Sequence, residues 1–338
     1  MECSVFKLRF LPFFLLTTAI SLSSRAEISP SPRESEPTYH TTHGLGPDKW
    51  ASAWLLSQHL DPGSRIIIHP LHSDTFEPKK SASFDSEGAT FHRTQHQSTF
   101  EVLIESFEAS DPKLVKLASV INDIEVNLWR PNRNPESIIV ETAFRKLQRN
   151  YGEENITLDC YNQLFSNIYE WIGSDSQEQV VASQTDLIPD QQCTKNTKVA
   201  FNSSTRLVPE ITALELFDHI RNGKNVVFVD TRESNEFAEA HIPGAVNIPI
   251  RSLGKQLPKS LESADIIISY CVKDFRGFEM AKILRRRGLQ QTAILNPYGI
   301  RGWIEAELPV AGTKALTEQQ AKANLEQCIN DKECIKNI

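Results

Sequence analysis

The sequence lacks several features that would place it in common protein classes. After residue 20 it has no second apolar stretch long enough to cross a bilayer, and it shows no internal repeat, collagen-like period or coiled-coil pattern. It also lacks an excess of basic charge, because 36 Lys and Arg stand against 43 Asp and Glu, which gives a net charge of −7. A chain of this sign has no global field to attract nucleic acid or anionic lipid. We therefore expect no nucleic-acid partner and, after cleavage of the N-terminal signal described below, no stable membrane association.

The length and composition indicate a globular protein with more than one domain. The chain has 338 residues, of which 40% are hydrophobic and 23% are charged. This length exceeds that of most single domains and suits two.

The N-terminus has the pattern of a secretory signal peptide. Lys7 and Arg9 precede an apolar run over residues 10–20, and small residues follow up to Ala26. This order predicts a signal peptide over residues 1–26 that is cleaved near Ala26, and hence a periplasmic or secreted protein. No Cys directly follows the apolar run, which argues against a lipid anchor. An uncleaved N-terminal anchor is the alternative.

Export would give the six cysteines different roles. Cleavage removes Cys3 and leaves an odd number, and an odd number in an oxidising compartment indicates one thiol that is kept apart. We expect disulfides between cysteines that are near in sequence, with Cys271 unpaired. The expected pairs are Cys160 with Cys193 and Cys328 with Cys334.

Changes in composition divide the rest of the chain. We predict a disordered, Ser- and Pro-rich tether at 27–43, a mainly helical domain at 44–173, a polar linker at 174–204, an α/β domain at 205–312 and a C-terminal tail at 313–338. In the helical domain only Ser64–Pro70 has the pattern of a strand. In the α/β domain, β-rich runs at 225–230, 244–250, 265–271 and 291–297 alternate with helical patterns. Such alternation predicts a parallel sheet with helices on both faces, whose ligands bind at the carboxyl ends of the strands.

Cys271 lies at such a carboxyl end. It follows the apolar strand 266–270 and precedes a short loop with Lys273 and Arg276, after which a helix begins. The amides of a helix N-terminus and two cations favour a thiolate, so we expect a lowered thiol pKa and a nucleophilic role. The alternative is a buried structural cysteine.

The α/β region resembles a single rhodanese domain. Its 230–232 sequence D-T-R, its 236–237 pair E-F and its 240–249 sequence A-H-I-P-G-A-V-N-I-P are similar to the family signature, and Tyr270-Cys271 with Arg276 is similar to the family's catalytic loop. The resemblance implies a Cys271 persulfide, with Arg276 binding the anionic donor or fixing the loop. It also implies substrate contacts from the loop residues Val272, Lys273, Asp274 and Phe275. Asp274 departs from the glycine of many family members and should oppose an anionic donor. We interpret Asp230 and Arg232 as structural and His241 as a packed turn histidine.

The helical region resembles the domain of the chromate resistance protein (ChrB-like) family. The resemblance is carried by the 48–56 sequence D-K-W-A-S-A-W-L-L and the 117–125 sequence L-A-S-V-I-N-D-I-E. It implies a candidate divalent-metal site at His92, His96, Asp123 and Glu125, through imidazole and carboxylate ligands. Histidines in a polar loop that bind nothing are the alternative. We interpret Trp50 and Trp54 as core residues.

Together these features predict an exported sulfurtransferase that needs no cofactor for sulfur transfer. The donor would be thiosulfate or mercaptopyruvate, the acceptor a thiol or cyanide, and the ChrB-like domain would link the protein to chromate or another oxyanion. The alternatives are a non-catalytic protein that senses or binds an anion or metal on an inactive rhodanese fold, and direct reduction of chromate by thiols.

Overall fold

The computed structural model describes residues 37–70, 77, 82–86, 88–129, 133–153, 155–172, 187–189, 193, 208–253, 256–296, 299–331 and 334. The predicted signal peptide and most of the predicted tether and linker lie outside these residues. Over the described residues, none of the helices is both long and apolar enough to cross a membrane.

The N-terminal domain is mainly helical, as predicted. Its elements in chain order are β1 (Thr38–Thr42), α1 (Pro47–Leu55), which continues into a π-helical turn (Leu56–Leu60), β2 (Arg65–His69), α2 (Thr99–Ser106), α3 (Pro112–Glu125), α4 (Glu136–Tyr151) and α5 (Leu158–Trp171). The prediction of a tether up to residue 43 is wrong at its C-terminal end. Thr38–Thr42 forms a strand that pairs in parallel with Arg65–His69, and this pairing supplies hydrogen-bond partners for the backbone groups of β2.

Local sequence signals explain where these helices begin. Ser98 and Glu101 form a reciprocal capping box at α2, and the side chains of Asp111 and Thr157 cap α3 and α5.

The helices enclose an aromatic core. Trp50 stacks on Tyr161 with ring centroids 4.0 Å apart, and Trp50 and Trp54 are both buried, as predicted.

Part of the predicted linker packs against this core. Leu187, Ile188 and Cys193 are buried, and Cys193 forms a disulfide with Cys160 of α5. The expected pairing is therefore present. The prediction of an exposed linker is wrong at these described positions, because apolar side chains and a disulfide hold them on the helical domain.

The C-terminal domain has the α/β fold predicted for it. Its elements are β3 (Glu210–Thr212), α6 (Ala213–Arg221), β4 (Val226–Asp230), α7 (Ser234–Glu239), β5 (Val246–Asn247), α8 (Lys259–Glu262), β6 (Ile266–Tyr270), α9 (Phe275–Arg286), β7 (Thr292–Asn296), α10 (Gly299–Glu305) and α11 (Glu318–Asn330). Five strands pair in parallel in the order β3-β7-β6-β4-β5, so β6 is central. Its residues Ile267 and Ile268 are fully buried and point to opposite faces of the sheet, so that each belongs to a different apolar cluster.

The segment predicted as a C-terminal tail is part of this domain. Helix α11 packs Leu325, Cys328 and Ile329 into the apolar cluster on one face of the sheet, and Cys328 forms the expected disulfide with Cys334. Arg221 of α6 donates a hydrogen bond to the Ile329 carbonyl.

Candidate active site

The loop between β6 and α9 contains Cys271 and is held tightly against the sheet. Helix α9 approaches β6 so closely that a Cβ atom at Gly277 would lie 3.0 Å from the Tyr270 Cα atom. The Ser269 hydroxyl donates to the Gly277 carbonyl at 2.8 Å and ties the two elements together. The sequence thus places the cysteine at the end of the central strand, directly before the first turn of a helix.

The start of α10 fixes the same loop from the other side. The amides of Ile300 and Arg301 donate to the carbonyls of Cys271 and Val272 at 2.9 and 3.0 Å. Gly299 has a φ of 65°, and a Cβ atom there would lie 2.1 Å from the Lys273 carbonyl oxygen. Only glycine fits this approach, since both the backbone conformation and the contact distance exclude a side chain.

Cys271 is buried, with 3% of its surface exposed. Burial raises the pKa of the Cys271 thiol above its ordinary value, and the charges of Asp274 and Glu125 act in the same direction. The charge of Arg276 and a hydrogen bond from the Gly277 amide lower this pKa but do not outweigh burial. The expectation of a lowered thiol pKa is therefore wrong, because the thiol is buried.

Arg276 is held by an ion pair with Glu236 of α7. Its Nη1 and Nη2 atoms donate to the Glu236 carboxylate at 2.8 and 3.1 Å, and Nη2 also lies 3.4 Å from the Glu125 carbonyl. The Arg276 guanidinium, followed by Arg232 and Arg93, outweighs burial and lowers the pKa of Glu236 to about 2. In this arrangement Arg276 fixes the loop, and its buried Nε has no hydrogen-bond partner among the described residues.

Helix α4 of the N-terminal domain covers the rest of the loop. Lys273 forms an ion pair with Glu141, and Asp274 forms one with Arg145, whose Nη1 lies 2.7 Å from Oδ2. Phe275 packs edge-on against Phe144, with ring centroids 5.9 Å apart, and the guanidinium of Arg145 lies 4.0 Å from the centre of the Phe275 ring. Val272, the remaining loop residue, is buried.

Sequence reasoning missed Glu141, Arg145 and Glu236 as residues of this site. Glu236 could have been predicted, because it belongs to the E-F pair of the signature. Glu141 and Arg145 had no signal in the sequence, since they lie about 130 residues from their partners and on the other domain.

The four candidate metal ligands do not form one cluster. His92 bonds to the Ala89 carbonyl at 2.8 Å, and Asp123 accepts from Asn127 and Asn134. The side chain of His96 is 61% exposed and lies 3.8 Å from Glu239, and the Glu125 carboxylate pairs with Arg93 at 3.2 Å. Over the described residues there is no group of three or more His, Cys, Asp or Glu side chains that could hold a metal ion.

A buried ion-pair network joins the two domains beside the loop. Arg93 binds Asp48 at 2.9 Å as well as Glu125, and Asp85 pairs with Arg251 of the C-terminal domain. Burial raises the pKa of Asp48 to about 6, although Arg93 acts against it. Glu125, predicted as a metal ligand, is instead a member of this network.

The other residues of the rhodanese signature have the structural roles expected for them. Arg232 binds both carboxylate oxygens of Asp230 and the Ala240 carbonyl, and all three groups are buried. His241 stacks on Phe237, with ring centroids 3.9 Å apart.

Comparison with known proteins confirms both resemblances. The family model for the rhodanese-like domain matches residues 212–306, and the one described as ChrB, C-terminal domain, matches residues 39–172. The thiosulfate:glutathione sulfurtransferase of Saccharomyces cerevisiae is 34% identical over 97 residues, which are 25% of this chain and 68% of the yeast protein. The chain belongs to the rhodanese family.

Two further relatives fit this assignment. A sulfurtransferase of Allochromatium vinosum is 26% identical over 104 residues, which are 31% of this chain and 95% of that protein. The putative sulfur carrier protein YrkF of Bacillus subtilis is 28% identical over 96 residues, which are 28% of this chain and 51% of that protein. The chain spans about half the length of the Bacillus relative. The names of the yeast and Allochromatium relatives indicate that the rhodanese domain of this chain is of the sulfurtransferase type.

Proposed function

We propose that this protein is an exported sulfurtransferase in which Cys271 accepts sulfane sulfur and passes it on as a persulfide. The observation that supports this most is the placement of Cys271. It is a free cysteine at the carboxyl end of the central strand, with a helix amide directed at its sulfur, whereas the four other cysteines that the structure describes form disulfides. A thiol that stays free while the other described cysteines form disulfides is suited to sulfur chemistry.

The reaction proceeds in two displacements. The Cys271 thiolate attacks the outer sulfur of thiosulfate, the S–S bond of the donor breaks, and sulfite leaves with the bonding electrons. An acceptor thiolate then attacks the outer sulfur of the persulfide, forms a new S–S bond and releases the Cys271 thiolate. The Gly277 amide and the Arg276 charge stabilise the negative sulfur in both steps.

The ion pairs around the loop bear on the choice of donor. The Asp274 carboxylate would repel an anionic donor, but Arg145 neutralises it, and Glu141 neutralises Lys273. Both thiosulfate and mercaptopyruvate therefore remain suitable donors on electrostatic grounds. Because Cys271 is 3% exposed, either donor requires a movement of the loop or of α4 before it reaches the sulfur.

A second candidate function is anion binding without turnover. The raised thiol pKa and the cover over the loop favour it, since both reduce the amount of accessible thiolate at neutral pH. A role in the response to chromate or another oxyanion is proposed from the match to the ChrB domain alone.

Sulfur transfer by the purified full chain tests the proposal. We expect transfer from thiosulfate or mercaptopyruvate to cyanide or a thiol, mass spectra of the Cys271 peptide with one added sulfur atom, and loss of both in Cys271→Ser. Absence of transfer with every donor, together with tight binding of sulfite or chromate, would support the second candidate instead. Export is tested separately by N-terminal sequencing of the protein from fractionated cells, with Glu27 expected as the first residue.

A further inference from the structure

The C-terminal end of helix α3 concentrates negative charge. The last carbonyl groups of a helix have no partner within it and form the negative end of its dipole. A Lys or Arg in the last turn would offset this charge, but residues 122–125 contain neither and include Asp123 and Glu125. The Glu125 carboxylate is balanced by Arg93 of the same domain. The carbonyl groups of this helix end need donors from elsewhere.

Arg301 of α10 donates to this helix end from the C-terminal domain. Its Nη2 atom bonds to the Asp123 carbonyl at 2.9 Å and also to the carbonyl of Asn127, which follows the helix. Its amide holds the Cys271 loop through the Val272 carbonyl at 3.0 Å. Arg301 thus lies between α3 and the loop, and only 3% of its surface is exposed.

These contacts compensate the Arg301 guanidinium incompletely. Both acceptors of Nη2 are neutral carbonyl groups, and the buried Nε and Nη1 atoms have no hydrogen-bond partner among the described residues. Burial lowers the pKa of Arg301 to about 10, and the charge of Arg133 acts in the same direction. A guanidinium binds best to an oxyanion that accepts two parallel N–H bonds. An oxyanion would therefore satisfy Arg301 more fully than the α3 carbonyls do.

Arg276 is bound to the same helix end. Its Nη2 atom lies 3.4 Å from the Glu125 carbonyl, and its Nε atom is buried without a partner in the described part of the chain. Asp123 and Glu125 are two residues apart, so their carbonyl groups lie within one turn of α3. The guanidinium groups of Arg276 and Arg301 therefore meet one small, negatively charged surface beside the Cys271 loop.

We propose that the C-terminal end of α3 is an internal competitor of the anionic sulfur donor: it occupies Arg276 and Arg301, and an oxyanion that binds both guanidinium groups displaces it. This inference rests on the proposed function and adds Arg301 to the residues that bind the donor. By linkage, an oxyanion then favours separation of the domains at this contact. Weakening the contact elsewhere strengthens oxyanion binding by the same linkage.

Sulfate is the probe, because it has the charge and tetrahedral shape of thiosulfate but no sulfur to transfer. Spin labels at Ile138→Cys on α4 and Leu214→Cys on α6, both at exposed positions, report the distance between the domains. The full chain also carries Cys3→Ser and Cys271→Ser, so that no other free thiol is labelled. We expect sodium sulfate to produce a second distance population that sodium chloride of equal ionic strength does not produce.

Calorimetric titration with sulfate tests the reciprocal effect. Arg133 pairs with Glu305 at 2.7 Å and Lys282 with Glu153 at 3.0 Å, and both ion pairs join the two domains. The double variant Arg133→Met, Glu153→Gln removes both pairs without changing the net charge. It should bind sulfate about fivefold more tightly, since each partly exposed pair contributes a factor of about two to five. Loss of the Arg133 charge alone would have the opposite effect.

Arg301→Met tests the contact itself. It should separate the labels without sulfate and make their distance insensitive to the anion. Glu305→Gln, which breaks the exposed pair with Arg133 one turn later on the same helix, is the matched control and should keep the sulfate response. Arg301→Lys keeps the charge but not the planar set of donors, so it should respond more weakly than the parent; it replaces Arg301→Met if that variant does not fold.

Sulfate binding without a change in the label distance would overturn the inference, because the anion would then bind beside α3. So would a double variant that binds sulfate no more tightly than the parent, an Arg301→Met response equal to that of the parent, or no sulfate binding by any of these chains. The measurements use neither a sulfur donor nor Cys271. Lack of sulfur transfer by the parent chain would therefore refute the proposed function, whereas the sulfate measurements decide the role of the α3 end.

Discussion

Replacing Glu236 with glutamine should weaken the fold and, at the same time, make Cys271 more reactive. Glu236 is buried in α7, and its pKa falls from the ordinary 4.5 to about 2, chiefly because of the Arg276 guanidinium. At about 1.4 kcal/mol per pKa unit, this shift corresponds to about 3 kcal/mol of stability at neutral pH. The typical cost of breaking a buried ion pair, about 3–5 kcal/mol, agrees with that value.

The effect on the thiol has the opposite sign. In the parent chain Glu236 neutralises the guanidinium that lowers the pKa of Cys271. With glutamine at position 236 the charge of Arg276 is no longer balanced at close range, so the pKa of Cys271 should fall and its alkylation at neutral pH should accelerate. Loosening of the fold alone would raise the alkylation rate without moving the midpoint of its pH profile, whereas loss of the carboxylate should also move that midpoint to lower pH.

Urea unfolding and peptide-resolved alkylation measure the two quantities. Because the folded-state pKa of Glu236 lies below its ordinary value, the contribution of this group is present above about pH 4.5 and is lost as the pH falls through about 2. The stability difference between parent and variant should thus be constant from pH 8 to pH 5 and shrink below that. Glu262→Gln, which removes an exposed carboxylate of α8, is the matched control.

Two results would refute this reasoning. One is a loss of less than about 1 kcal/mol at neutral pH, which would mean that the buried pair contributes no more than an exposed one. The other is a folded Glu236→Gln protein whose Cys271 is alkylated no faster than in the parent. In that case Arg276 would not act on the sulfur through its charge.

Three further predictions concern the loop, a buried acid and a disulfide. Gly299→Ala should destabilise the protein more than Gly223→Ala. Both glycines have a positive φ, but only the Cβ atom added at position 299 would meet backbone carbonyls of the Cys271 loop. Thermal unfolding of both variants measures the difference. Burial raises the pKa of Glu279 from the ordinary 4.5 to about 7, so the carboxylate destabilises the fold increasingly as the pH rises toward that value. Glu279→Gln should therefore stabilise the protein by about 3 kcal/mol at pH 8 and by less than about 1 kcal/mol at pH 5, measured by urea unfolding; equal effects at both pH values would contradict the shift. Removing the Cys160–Cys193 disulfide, which closes a separation of 33 residues, should lower the free energy of unfolding by about 3–4 kcal/mol, measured by urea titration of the double alanine variant.

Features encoded by neighbouring residues could be predicted from the sequence. The strand Ile266–Tyr270 was expected from its apolar run and bounding turn residues, and the structure places it at the centre of a parallel sheet. The two disulfides followed from proximity in the chain. In each case the signal lies within a few tens of residues, where chain order and distance in space agree.

The errors share a different physical origin. The prediction of a tether at Thr38–Thr42 is wrong because these five residues directly follow a Ser- and Pro-rich stretch and are mostly polar, so that only the pairing with Arg65–His69 defines them as a strand. His92, His96, Asp123 and Glu125 have the chemistry of metal ligands, but separate hydrogen bonds and ion pairs hold them apart. Residue type alone cannot show which partner a polar side chain meets first.

The sequence by itself determined the alternation of strands and helices in the α/β domain, the family and the nucleophile candidate. A strand, a cysteine and a helix start follow one another directly at residues 266–277. The tertiary structure decided the state of that cysteine. The packing of α4 and α3 over the loop buries Cys271, raises its pKa and turns Asp274 toward Arg145. Desolvation and ion pairing depend on which surfaces meet, and the two surfaces that meet here come from distant parts of the chain.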